Sequence, residues 1–262
     1  MRHRGIPKEY TEWISQKVEG RKTILSFDDF NTEERILRRG MDQGCPLSGI
    51  AYQFYNADLL ETTNKLNRED SVAFVDDTAI FTEGKYLSEA FSKLEDIMER
   101  RGGALDWAKS HKCEFALNKF GLVGFTRKRE TASGTQGKKT RPVTRPHITI
   151  GGHKIEATDM HKYLGVIMDQ ELRYKEHTEY AAWEGEMIMN QYKRLANTKK
   201  GIIARHMRQF YLAVVAPKML YAADIFLVPE TDRSKGTKGP IAKLAKIQRQ
   251  AAIAITGALR TM

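Results

Sequence analysis

Apolar residues recur at helical spacing over residues 8–19, where Tyr10, Trp13, Ile14 and Val18 share a face and Gly20 supplies a stop. Residues 22–30 read as extended and end in acidic turn residues, and residues 34–39 read as a further strand. The helical period returns over residues 47–66, with Ile50, Phe54, Ala57 and Asn64 on related faces. Residues 71–81 form a short apolar run broken at its middle by two aspartates, the pattern of a β-hairpin with a charged turn. An amphipathic helix follows over residues 89–101, with Phe91, Leu94, Ile97 and Met98 as its stripe and Gly102 and Gly103 ending it.

Residues 115–125 are expected to return to the sheet. Residues 127–146 carry seven basic residues and one acidic one, several Gly and Pro, and no apolar period, so a flexible basic loop is expected there. Short strands are predicted over residues 147–155, around the Gly151 and Gly152 turn signal, and over residues 161–168. Helices follow over residues 176–197, 202–227 with Pro217 as a kink, and 241–255. The pattern is therefore α+β, a mixed part followed by an all-helical part, with no internal repeat.

Composition narrows the class. At 262 residues and 41% hydrophobic, the chain has the material for one large domain or two smaller ones. Lys and Arg exceed Asp and Glu by 43 − 33 = 10, and the pI is about 9.5, which points to an acidic partner such as nucleic acid. No apolar run approaches the roughly 20 residues of a membrane span, and the N-terminus lacks a secretory apolar core, so no membrane partner is expected. Cys45 and Cys113 are too few and too far apart for a disulfide framework or a closely spaced zinc site, which suits an intracellular setting. His3, His111, His153, His161, His177 and His206 show no metal-ligand spacing, so packing or surface roles are expected of them.

The candidate chemistry centres on Asp76 and Asp77, set between apolar pairs. Carboxylates resist desolvation unless a cation or donors meet them, and hard divalent cations prefer carboxylate oxygens. Alone, such a pair is more often ordinary turn chemistry. Upstream, Gln43, Gly44, Cys45, Pro46, Leu47 and Ser48 make a loop that runs into the predicted helix, with Ser48 placed to cap it.

Together, a Gln-Gly-x-Pro-Leu-Ser loop leading into a helix and then an aromatic-x-Asp-Asp hairpin resemble consecutive motifs of reverse transcriptases, in particular those of fungal non-LTR retrotransposons. Residues 107–125 are similar to the next motif of that family, which carries a lysine; Lys119 is the preferred match and Lys112 the alternative. Tyr163, Leu164, Gly165 and Val166 resemble the primer-grip hairpin, and residues 244–262 resemble the helical stretch beyond the thumb.

The resemblance implies a partial palm with an antiparallel sheet over residues 1–126, a basic loop over 127–146, a primer-grip region over 147–174 and a helical thumb over 175–262. It implies RNA-directed DNA polymerase activity with two Mg²⁺ ions. Asp76 would be the direct metal ligand and Asp77 would set the local charge. Gln43, Gly44, Pro46 and Ser48 would line the path of template and incoming nucleotide, Lys119 would sit near the phosphates as a proton donor, and Tyr163, Leu164, Gly165 and Val166 would position the primer end. Lys193, Arg194, Lys199, Lys200, Arg205 and Arg208 would follow a duplex backbone. The partners implied are an RNA template, a DNA primer or their hybrid, and deoxynucleoside triphosphates, in a nuclear or cytoplasmic ribonucleoprotein.

Asp42, Cys45 and Gly49 depart from the residues common in relatives, and the hairpin has Val75 where Ala is commoner. A larger departure is that the family's other metal-binding aspartate, on a strand well before the loop, has no clear counterpart. Asp28 and Asp29 match by type only. The expectation is thus a fragment starting after that strand and inactive alone, with a non-catalytic nucleic-acid-binding remnant as the alternative and a basic interaction protein as a third reading.

Overall fold

The computed structural model of the chain describes residues 1–38, 40–131, 140–195, 201–228 and 236–258, without the side chains of Thr131 and Leu195. It is α+β, its strands paired two by two. Two compact units divide the chain: Met1–Ala116 with Thr149–His153, and Leu117–Ile148 with Lys154–Met262.

In the first unit, α1 (Lys8–Val18) forms as its spacing predicts. Its apolar stripe is only partly covered: Ile14 and Val18 are half-buried and Tyr10 and Trp13 exposed. The extended stretch becomes β1 (Lys22–Thr23), β2 (Ser26–Phe27), β3 (Phe30–Asn31) and β4 (Arg35–Ile36), β1 pairing with β4 and β2 with β3. Helix α2 (Pro46–Leu60) opens with Pro at its first position, where the missing N–H costs nothing. It stops six residues short of the predicted 66. Thr62 Oγ1 donates to the Leu59 carbonyl at 2.7 Å and Thr63 Oγ1 to the Leu60 carbonyl at 3.0 Å, taking the acceptors that a further turn needs. Asn64 then caps a single 3-10 turn, Lys65–Asn67, by accepting from the Leu66 amide.

Strands β5 (Glu69–Phe74) and β6 (Asp77–Thr82) pair antiparallel, from Glu69 opposite Thr82 to Phe74 opposite Asp77. Helix α3 (Leu87–Glu99) packs on β6 and α2 on β5, and α4 (Ala104–Ser110) packs on α3 and α2. Phe91, Ile97 and Met98 from the predicted stripe are buried with Leu59, Ala104 and Trp107, each large apolar side chain contributing about 1.5–3 kcal/mol. The apolar flanks of the two aspartates are covered on one side only. Only one face of the ribbon meets α2 and α3, so Val72, Phe74 and Phe81 on the other remain exposed.

In the second unit, residues 117–125 do not rejoin a sheet. They make one 3-10 turn, Leu117–Lys119, and one parallel bridge from Leu122 to Ala157. The Leu122 carbonyl accepts from the Thr158 amide as part of that bridge. The expected unpaired loop has paired ends, β7 (Arg129–Thr131) against β8 (Thr140–Pro142) in antiparallel register; residues 132–139 lie outside the described residues. Strands β9 (Ile148–Ile150) and β10 (His153–Ile155) pair across Gly151 and Gly152, residues counted with the first unit, while β11 (Met160–Tyr163) pairs antiparallel with β12 (Val166–Asp169).

Helix α5 (Lys175–Leu195) follows prediction. The next expected helix is divided into α6 (Ala204–Phe210), a π-helical turn Tyr211–Val215, α7 (Ala216–Met219) and α8 (Ala223–Phe226). Pro217 has no N–H for the Ala213 carbonyl, which accounts for the widened turn preceding it. Ala222 at φ 55 makes the second break. Helix α9 (Lys238–Thr256) ends on Gly257 in the left-handed conformation. Met189, Tyr192, Met207, Val215, Met219 and Ile247 form the buried centre of this unit.

Candidate functional site

Loop 43–48 is shaped from both sides. Gly44 takes φ 83, a conformation open to glycine, and Arg21 donates to the Asp42 carboxylate at 2.9 Å and to the Gly40 carbonyl. Asp42, a departure from the family pattern, is thus the loop's anchor. Ser48 does not cap α2 as expected: Cys45 is the N-cap residue, and Ser48 Oγ donates to the Asp42 carbonyl at 2.7 Å. With Pro46 at the first helical position, the chain is already helical at Ser48, so its hydroxyl turns back into the loop. Gln43, Gly44 and Pro46 are exposed.

Ten residues along α2 from Pro46, about 15 Å of helix, lies Asn56. It is buried, and its side-chain amide donates to the Val75 carbonyl at 3.3 Å and to Thr78 Oγ1 at 3.2 Å. Val75 and Asp76 form the two-residue turn between β5 and β6, with Val75 at φ 55, and Asp77 opens β6. Both carboxylates are exposed at the hairpin tip. Tyr52, one turn before Asn56, has its hydroxyl held above the usual pKa, first by burial and then by the charge of Asp76. One helix therefore carries the loop at its start and meets the aspartate turn further along.

The base of this hairpin is anchored by charge. Glu69 has a fully buried side chain and accepts from Arg100 Nη2 at 2.8 Å, the Asn64 amide at 2.9 Å and the Asn67 side chain. Burial works against its ionised form, but these donors outweigh burial and hold the carboxyl below the usual range.

Lys119 and the YLGV residues belong to the second unit, whereas Lys112 belongs to the first. Lys119 is exposed on its 3-10 turn. Tyr163 faces Val166 across the tip of β11 and β12, with Leu164 at φ 46 and Gly165 at φ 84 between them. Two positive φ values match the right-handed twist of a hairpin. Tyr221 donates its hydroxyl to the Leu164 carbonyl at 2.8 Å, and its ring lies where a Cβ on Gly165 would come within 3.1 Å. A cavity of about 220 Å³ beside this tip is lined in part by Lys162, Tyr180, Glu184 and Lys218. Asp169 closes the base of the hairpin, accepting from the amides of Glu171, Arg173 and Tyr174 at 3.0, 2.8 and 2.6 Å.

Of the basic helix residues, Arg194, Arg205 and Arg208 are exposed, and Lys193 donates to Gln250 at 3.0 Å. Lys199 and Lys200 lie outside the described residues. Asp28 and Asp29 occupy the exposed turn between β2 and β3. Among the described residues no three His, Cys, Asp or Glu gather as a metal-holding group, and no helix is long and apolar enough to cross a membrane. Asn56, Arg21, Arg100 and Tyr221 were not singled out from the sequence. Only Asn56 left a signal, as an amide within an otherwise apolar helix.

Residues 1–168 match the family described as reverse transcriptase (RNA-dependent DNA polymerase). The chain is 23% identical over 212 residues to an RNA-directed DNA polymerase from the mobile element jockey of Drosophila funebris, covering 79% of this chain and 21% of that protein. It is 25% identical over 226 residues to a probable RNA-directed DNA polymerase from transposon BS of Drosophila melanogaster, covering 84% and 23%. A similar protein from the X-element of that fly is 23% identical over 254 residues, covering 96% of this chain and 25% of the relative. The chain thus spans about a fifth to a quarter of these relatives. No solved structure matches.

Proposed function

The chain belongs to the reverse transcriptase family, with relatives of non-LTR retrotransposon type, and from that premise we propose that it forms part of an RNA-directed DNA polymerase. The observation that carries this reading is the joining of loop 43–48 and the Asp76 turn through the single helix α2. In the reading, residues 1–126 are a partial palm, 127–146 a basic loop, 147–174 the primer-grip region and 175–262 the thumb. Its partners are an RNA template, a DNA primer and deoxynucleoside triphosphates.

Asp76 and Asp77 have the hard oxygen donors that Mg²⁺ takes, and their exposed position leaves room for its waters. When bound, two such ions supply the charge that steadies a transferring phosphoryl group. Asp76 holds the metal and Asp77 adds to the local negative charge. Two neighbouring carboxylates on one hairpin make one side of a two-ion clamp, whose other side needs a carboxylate from a second strand. Gln43, Gly44, Pro46 and Ser48 line the template and nucleotide path. Lys119 serves the phosphates, and Tyr163, Leu164, Gly165 and Val166 hold the primer end.

Primer extension on an RNA template tests this. In a full-length polymerase carrying this segment, Asp76→Asn should reduce turnover by on the order of 10³-fold, the equivalent of several kcal/mol of charge stabilisation. Residues 1–262 alone should bind a primer–template hybrid in a salt-sensitive way and extend nothing. Extension by the isolated chain would overturn the divided clamp. Wild-type-like turnover of Asp76→Asn would overturn the assignment itself.

A further inference from the structure

Val75 is β-branched and sits at φ 55, a region that such residues avoid because Cβ crowds the following carbonyl. Strained backbone of this kind persists only where its surroundings hold it. Glycine is absent from this turn, so the holding must come from elsewhere. The described contact that reaches it is Asn56, which is 4% exposed and gives its side-chain amide to the Val75 carbonyl and the Thr78 hydroxyl.

We propose that Asn56 is a positioning residue for the Asp76 carboxylate, fixing the peptide plane from which Asp76 projects. The gripped carbonyl belongs to the peptide unit joining Val75 to Asp76. Rotation of that plane changes ψ of Val75 and φ of Asp76 together and swings the aspartate side chain. The hydrogen bonds are long at 3.3 and 3.2 Å, but they act on the two sides of the turn at once and come from one buried group. Because Asn56 lies on α2, the turn takes its orientation from the same helix that carries loop 43–48 at its N-terminus. Asn56 touches no reacting atom and acts through Asp76. The proposal rests on the reading of Asp76 as the metal-bearing carboxylate.

The test uses two measurements. On residues 1–262, NMR backbone shifts and the amide–α coupling of Val75 report its positive φ. Asn56→Asp keeps the side-chain shape while replacing the two donors with an acceptor, and should abolish that signature. In a full-length polymerase carrying the segment, Asn56→Asp should reduce turnover by roughly 10–100-fold, with the KM values for nucleotide and primer–template changing far less, as expected for a misplaced reacting group.

Adding Val75→Gly should restore much of the lost turnover, since glycine adopts positive φ without a brace. An unchanged Val75 signature in Asn56→Asp overturns the proposal, as do additive losses in the double variant. If Asn56→Asp fails to fold, Thr78→Val removes one acceptor and should show the same two effects on a smaller scale; no effect overturns the proposal. Should Asp76→Asn abolish turnover while Asn56→Asp leaves it intact, this proposal falls alone. Should Asp76→Asn retain turnover, the functional reading falls and takes the positioning role with it, while NMR still reports whether the brace exists.

Discussion

At the tip of the β5–β6 hairpin Asn56 grips the Val75 carbonyl, and at the tip of the β11–β12 hairpin Tyr221 grips the Leu164 carbonyl. Each base is closed by a buried carboxylate, Glu69 in one and Asp169 in the other. The tips differ in what they present. The second, Leu164 and Gly165, uses glycine for its more positive φ and offers mainly backbone. The first, Val75 and Asp76, offers a carboxylate and has no glycine. The Leu164 turn meets the left-handed requirement with glycine at one of its two positions. A turn that presents a functional group meets it here with a β-branched residue and a hydrogen-bonded brace. The bases differ as well: Glu69 meets a full positive charge in Arg100, whereas Asp169 collects backbone amides at the entry to α5.

Breaking the bases should have the largest effects. Glu69→Gln leaves Arg100 without its buried partner and should cost about 3 kcal/mol in urea unfolding of residues 1–262. The same residue predicts a pH effect. Its folded pKa is depressed, so its contribution is present above the ordinary Glu range and is lost as pH falls through that range toward the folded value. Unfolding midpoints measured downward from neutral pH should show this loss in the wild type and lack the Glu69 share of it in Glu69→Gln.

Asp169→Ala strips the acceptor from three backbone amides and should cost about 2 kcal/mol by the same unfolding assay. At the tips the expected effects are smaller and of opposite sign. Gly165→Ala puts a Cβ at φ 84 and against the Tyr221 ring, and should lower stability by about 1.5 kcal/mol. Val75→Gly relieves a left-handed β-branched residue at an entropic cost, and should raise stability by about 0.5 kcal/mol. Equal signs at the two tips would break the contrast between a glycine turn and a braced one.

The hairpin around Asp76 and helices α1, α3, α5 and α9 were legible in the chain because period and turn chemistry act over a few residues. The ordered loop and aspartate motifs also pointed to the family that residues 1–168 match. Less was legible where a local hydroxyl or proline overrode the period, as at Thr62 and Thr63 after α2 and at the π turn before Pro217. The pairing of β7 with β8 inside a basic, Gly- and Pro-rich stretch was hidden because its composition matches an open loop.

By itself, then, the sequence determined which segments are helical or hairpin and which carboxylates stand at a tip. Tertiary structure alone decided what holds them: Asn56 to Val75 across 19 residues, Arg100 to Glu69 across 31, and Tyr221 to Leu164 across 57. Hydrogen bonds of that span form only once packing has brought distant segments together, because closing the intervening loops costs entropy that no local preference offsets.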